Sequence, residues 1–142
     1  MKNVVDYLKK NKKFAGVIAG KDIEIKLSGN TIIVEWNDED RYVKKFHDGH
    51  DAENIIQDFL EKYKVEVRFC EVCGKPYDAG FIAGDGDWYC CEGCFEKTMN
   101  KDYGKGKWRE TDDEGVNGGF YEYLDDNGKW EDTGIYWTDW ND

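Results

Sequence analysis

Between residues 21 and 36 apolar and polar side chains alternate: Ile23-Glu-Ile-Lys-Leu27, a break at Ser28-Gly-Asn30, then Thr31-Ile-Ile-Val-Glu-Trp36. A period of two predicts strands with one buried face, and the short glycine-containing break predicts an antiparallel hairpin. Phe14 to Ile18 begins a strand ahead of it, and Arg41 to Phe46 adds another after Asn37-Asp-Glu-Asp40. Helical spacing brackets these strands. Val4, Val5 and Leu8 fall on one side of a helix capped by the Asn3 side chain, and Ile55, Ile56, Phe59, Leu60 and Tyr63 share one face of a helix capped by Asp51. Residues 1–64 therefore predict a small αβββα domain, and the chain as a whole an α+β protein.

Beyond residue 64 this patterning gives way to cysteine chemistry. Five cysteines fall between Cys70 and Cys94, as Cys70-Glu-Val-Cys73, a 16-residue gap, then Cys90-Cys91-Glu-Gly-Cys94. Two close pairs separated by such a gap suit one tetrahedral metal ion, each short loop offering two sulfurs. The first pair is unambiguous. The second reads either as Cys91-x2-Cys94 or as Cys90-x3-Cys94, and Cys90 with Cys94 is the favoured register. Disulfides would need an oxidising compartment and would leave one cysteine over. A thioredoxin-like pair does not call for a second cysteine cluster. Between the pairs, Gly74-Lys-Pro76-Tyr-Asp and Phe81 to Cys90 predict a knuckle followed by a two-stranded hairpin turning at Gly84-Asp85-Gly86. Glu92 to Asn100 predicts a helix that places its ligands in the first turn, where backbone N–H groups favour thiolate.

Four thiolates close the coordination shell of zinc, so the expected cofactor is one structural Zn2+ and no catalytic residue is assigned. A zinc nucleobase deaminase needs His-x-Glu ahead of its cysteines, whereas His47 is followed by Asp-Gly and His50 by Asp-Ala. A nuclease built on such a finger needs a histidine in or beside it, and none follows residue 50.

Cys70-x2-Cys73-Gly-Lys followed by Trp88-Tyr-Cys90-x3-Cys94-Phe resembles the treble-clef zinc fingers of the TRASH, YHS and MYM type, over roughly residues 68–100. The chain is also similar to small zinc-finger proteins of bacteriophages and low-GC Gram-positive bacteria whose tails end near Tyr-Trp-Thr-Asp-Trp140. The resemblance implies Cys70, Cys73, Cys90 and Cys94 as metal ligands and metal-sensing or protein-binding roles, and it gives Cys91 no role. A spare Cys91 would suit exchange of a soft ion such as copper(I).

From residue 104 the composition turns to glycine, acid and aromatic, with Trp108, Trp130, Trp137 and Trp140 in the tail. Gly106-Lys-Trp108-Arg-Glu-Thr111 recurs as Gly128-Lys-Trp130-Glu-Asp-Thr133, 22 residues later, which suggests a repeated turn-and-strand unit. Phe120 to Leu124 and Lys129 to Asp132 predict a hairpin around Asn127-Gly128. Packing of these aromatics on the finger is the expected arrangement, ahead of an exposed surface or a choline-binding cage. Three segments follow: residues 1–64, the finger over 65–103, and the aromatic tail over 104–142.

The formal net charge is −11. Residues 1–64 balance 12 basic against 12 acidic side chains, so the excess acidity lies C-terminal. Such a field opposes direct binding to nucleic acid, which rests on lysine and arginine. It fits a protein partner, including a basic nucleic-acid-binding protein, for which the acidic chain would act as a decoy. The order of elements in residues 1–64 matches double-stranded-RNA-binding domains, but His47-Asp-Gly-His-Asp51 stands where they carry lysines. His47, Asp48, His50 and Asp51 also suit a second metal site, although a capped turn explains the aspartates first. No apolar stretch approaches a membrane span, and the thiolates fit a reducing cytoplasm.

Overall fold

A computed structural model describes residues 2–83 and 88–141. Its contacts divide the chain into two compact units, residues 1–78 with 139–142, and residues 79–138.

In the first unit, helix α1 (Val4–Asn11) starts at Asn3, whose side chain accepts N–H bonds from Val5 and Asp6 while the Asp6 carboxylate accepts the Asn3 N–H. This reciprocal cap satisfies amides that have no partner inside the helix. Four strands follow as a meander: β1 (Lys13–Ile18), β2 (Lys21–Ser28), β3 (Thr31–Trp36) and β4 (Asp40–Lys45), antiparallel in the order β1-β2-β3-β4. The segment from Phe14, expected only to begin a strand, is a full strand, so the meander has four strands rather than three. Ala19 (φ 52°) and Gly20 (φ 76°) form the two-residue connection that pairs Ile18 with Lys21. Two successive positive φ values match the twist of the flanking strands.

Helix α2 (Gly49–Glu61) covers the inner face of the sheet with α1. Its N-cap is Asp48, which accepts the Asp51 N–H at 2.8 Å, while Asp51 accepts the His47 N–H at 2.8 Å. Asp51, expected as the cap, is instead the third helical residue: its N–H bonds the Asp48 cap, and its carboxylate accepts the amide of the residue before Asp48. Val4, Leu8, Ile25, Ile32, Val34, Ile56 and Leu60 are essentially sealed from solvent. Tyr42 stacks on Phe59 at 5.2 Å and Trp36 on Tyr63 at 5.4 Å, so aromatic pairs fasten β3 and β4 to the end of α2. The Tyr63 hydroxyl and the Lys62 ammonium both donate to Asp40, which holds that carboxyl below its ordinary value. The unit ends in a short pair, β5 (Arg68–Phe69) and β6 (Pro76–Tyr77). The chain's end joins it: Trp140 donates its N–H to the Asp78 carbonyl, and the Asn141 side chain bonds both backbone groups of Glu66.

In the second unit, β7 (Ala79–Ala83) and β8 (Trp88–Cys90) are antiparallel and lead into α3 (Glu92–Asp102). The turn expected at Gly84-Asp85-Gly86 lies outside the described residues. Strands β9 (Trp108–Glu110), β10 (Tyr121–Leu124) and β11 (Trp130–Asp132) form a sheet in the order β11-β10-β9, and β12 (Ile135–Asp139) pairs with β7 in the order β12-β7-β8. The hairpin expected around Asn127-Gly128 is present, with the Asp125 carboxylate accepting N–H bonds from Asn127 and Lys129. The two Gly-Lys-Trp segments are structural equivalents. Gly106 and Gly128 share the left-handed conformation (φ 79° and 78°), and β9 and β11 flank β10 on either side.

Among the described residues no helix is long and apolar enough to cross a membrane.

Candidate metal centre

The first cysteine pair sits on a tight knuckle between β5 and β6. The Cys70 N–H bonds the Lys75 carbonyl at 2.9 Å, and the Gly74 N–H bonds the Cys70 carbonyl at 2.7 Å. Gly74 closes the loop at φ 81°, a conformation that costs a residue with a Cβ. Glu71 is tied to the N-terminus, its carbonyl accepting the Lys2 N–H at 3.1 Å.

The second pair lies at the start of α3. Cys91 is the N-cap residue, in extended conformation (φ −75°, ψ 161°), and its side chain makes no capping hydrogen bond. The Cys94 N–H points back to the Cys91 carbonyl at 3.2 Å, closing the first turn. N-cap and third helical residue project side chains to the same side of a helix start, as in a capping box. The helix N-terminus lowers the cost of thiolate there.

Ligand atoms of Cys70, Cys73, Cys91 and Cys94 all lie within 4.8 Å of one another. Cys70 and Cys91 are buried and the other two half-buried. A tetrahedral centre with metal–sulfur bonds of about 2.3 Å needs sulfur separations of about 3.8 Å, so small side-chain rotations close this set around one ion. Four thiolates this close, two of them removed from solvent, would repel one another without a cation. The donor set therefore fits a metal ion such as zinc.

The third member of the set is Cys91, where the sequence favoured Cys90. Cys90 ends β8 opposite Phe81, is sealed from solvent, and donates its thiol proton to the Cys91 carbonyl at 3.4 Å. The reason is local geometry: Cys90 still belongs to the strand, whereas the switch to helix at Cys91 gives the i, i+3 spacing that points two sulfurs one way.

The residues around His47 are arranged differently. Asp48 and Asp51 are engaged in capping α2, and Glu53 accepts the Val4 N–H at 3.1 Å. Burial pushes the Glu53 carboxyl above its ordinary value.

Tail aromatics pack on α3 within the second unit. Phe95 of α3 stacks on Phe81 at 3.7 Å and meets Tyr121 at 4.8 Å and Trp108 at 5.7 Å edge-on. The Trp108 indole donates to the Asn100 side chain at 2.8 Å. Trp137 is 47% exposed and donates to Glu92 at 3.2 Å.

Asp132 has a role that the reading of the sequence missed. Its carboxylate accepts N–H bonds from Asn117 (2.7 Å), Gly119 (3.2 Å) and Gly134 (3.0 Å), organising the loop from residue 115 to 119. The glycines of Gly115-Val-Asn-Gly-Gly119 were the available signal, because a Cβ at Gly115 or Gly119 would fall within 2.4 Å of that carboxylate.

Comparison with protein-family models, with curated proteins and with solved structures finds no match to this chain.

Proposed function

We propose that the chain is a non-enzymatic protein-binding module stabilised by one zinc ion in a treble-clef finger, acting as an adaptor or regulator. The observation that carries this reading is the closed set of four cysteine sulfurs. Four thiolates complete a zinc tetrahedron, leaving no position for water or substrate, so the metal holds structure and supplies no Lewis acid. The order of knuckle, hairpin and helix supports the treble-clef assignment, and a phage or mobile-element origin goes with the small zinc-finger proteins it resembles.

The second unit supplies the binding chemistry. Fourteen acidic against six basic side chains lie in residues 79–138. Tyr103 and Tyr123 stack at 4.9 Å beside Asp102, Asp125 and Asp126, around an open concavity. Rings give contact area and carboxylates pair with arginine or lysine, so the partner is a basic protein.

The test is a pull-down with the zinc-loaded chain at low and high salt, set against a variant carrying Asp112→Asn, Asp113→Asn and Glu114→Gln, three exposed side chains. A protein partner retained by the native chain and weakened in the variant, with a smaller salt dependence, supports the reading. A basic nuclease or DNA-binding protein in the eluate would make the module a nucleic-acid decoy. Retention of no protein would overturn protein binding and leave metal handling.

A further inference from the structure

Among the described residues the four-stranded sheet ends in two edge strands that differ in chemistry. Edge β4 carries Arg41, Lys44 and Lys45. Edge β1 is uncharged from Phe14 to Gly20. An exposed edge strand offers unpaired backbone donors and acceptors, and charges, lysine above all, are the usual guard against pairing with another strand.

The register shows which groups β1 offers. Ile18 and Lys21 close a two-residue hairpin, which makes them a hydrogen-bonded pair, and the alternation of antiparallel ladders gives Gly16 and Phe14 the same status. The N–H and C=O groups of Lys13, Ala15 and Val17 therefore point outward from the sheet. All three residues are exposed, Val17 to 59%.

We propose that β1 pairs with β1 of a second copy of this chain, antiparallel about a two-fold axis at Ala15. Ala15 then faces Ala15 of the second copy, and Lys13 of each copy faces Val17 of the other, giving three hydrogen-bonded pairs. No like charges meet. Gly16 faces Phe14 of the second copy; the space beside Gly16 is filled by Phe14 of its own chain, whose ring a Cβ at Gly16 would meet at 2.8 Å. Charge complementarity selects this occupant. Val17 pairs with Asp22 across β2, so the lysine that reaches over Val17 meets a carboxylate in the next strand. Pairing through β4 would instead bring Arg41, Lys44 and Lys45 of two copies together, which disfavours that edge.

Sedimentation velocity of the full zinc-loaded chain, over a concentration series reaching several hundred micromolar, is the test. The native chain is expected to dimerise reversibly. Ala15→Pro removes only an outward N–H and should give a monomer with an unchanged circular dichroism spectrum. Val17→Lys should also give a monomer, because it faces Lys13 of the second copy, although within its own chain it gains Asp22 as a neighbour. Val17→Glu should remain dimeric, with an added salt dependence, since it faces the same lysine. A native chain that stays monomeric throughout overturns the proposal, and so does identical behaviour of Val17→Lys and Val17→Glu. If Ala15→Pro perturbs the fold, the Lys and Glu variants decide the matter alone.

Discussion

Gly74 presses against the carbonyl of Asn3 so closely that a Cβ at Gly74 would lie 1.9 Å from the Asn3 oxygen. Asn3 is held from its other side too, since a Cβ at Gly49 would fall 2.1 Å from its side chain. The residue that caps α1 is therefore wedged between the start of α2 and the loop carrying Cys70 and Cys73. Metal-site geometry and the packing of the N-terminal helices share one contact.

Gly74→Ala should consequently damage both. The substitution meets a backbone oxygen and also a positive φ, so a loss of about 2–4 kcal/mol is expected, together with faster zinc release to a chelator. Gly93→Ala, between Cys91 and Cys94 on α3, is the control. Nothing lies within 4 Å of its added Cβ, and a helical Gly→Ala change should stabilise by about 0.5–1 kcal/mol. Thermal unfolding of the two variants with parallel chelator kinetics distinguishes them.

Metal content tests the ligand set. Cys73→Ser and Cys91→Ser should each abolish tight zinc binding, because a structural zinc site contributes on the order of 10 kcal/mol that three thiolates do not recover. Cys90→Ser should keep about one zinc per chain, its hydroxyl replacing the thiol that donates to the Cys91 carbonyl. Elemental analysis of the purified variants reads this directly. Zinc loss in Cys90→Ser with retention in Cys91→Ser would restore the other register.

The elements built on local pattern were legible in the sequence. Alternation over Ile23–Leu27 and Thr31–Trp36 is the β2–β3 hairpin, and Asn3 caps α1 as its side chain predicts. The α+β class follows from those signals. What escaped depends on a boundary or on distant backbone. Whether Cys90 or Cys91 joins the set turns on where β8 becomes α3, a shift of one residue that spacing alone does not fix. The turn at Ala19-Gly20 was hidden because alanine rarely adopts a positive φ. The contact of Gly74 with Asn3 joins residues 71 apart in sequence, and no local pattern encodes it.

Phe95 is the hub of the second unit, touching Phe81, Tyr121 and Trp108 at once. Phe95→Ala should cost about 3–5 kcal/mol, the range for a buried aromatic whose neighbours cannot collapse into the space. Phe95→Leu keeps most of the volume but loses the ring pairs, and about 1–2 kcal/mol is expected. Urea unfolding followed by tryptophan fluorescence measures both. Equal, small losses would mean that the tail aromatics do not depend on the helix.

Two carboxyl groups give acid stability opposite signs. At Asp132 burial pushes the carboxyl up, but the backbone N–H groups of Gly134, Asn117 and Gly119 outweigh it and hold the group below its ordinary value. A carboxyl lowered in the folded state stabilises at pH above its unfolded value, and that stabilisation drains away as pH falls through the lowered value. At Glu53 burial raises the carboxyl, so its contribution is full at acid pH and is lost as pH rises through the raised value. Asp132→Asn should therefore cost about 1 kcal/mol at neutral pH, allowing for solvent screening of a half-exposed group, and should flatten the acid limb of the stability profile. Glu53→Gln should raise the melting temperature at neutral pH and change little at acid pH, because the amide resembles the protonated carboxyl. Melting curves of both variants between acid and neutral pH check the two signs independently, and parallel profiles would show that neither carboxyl governs the acid response.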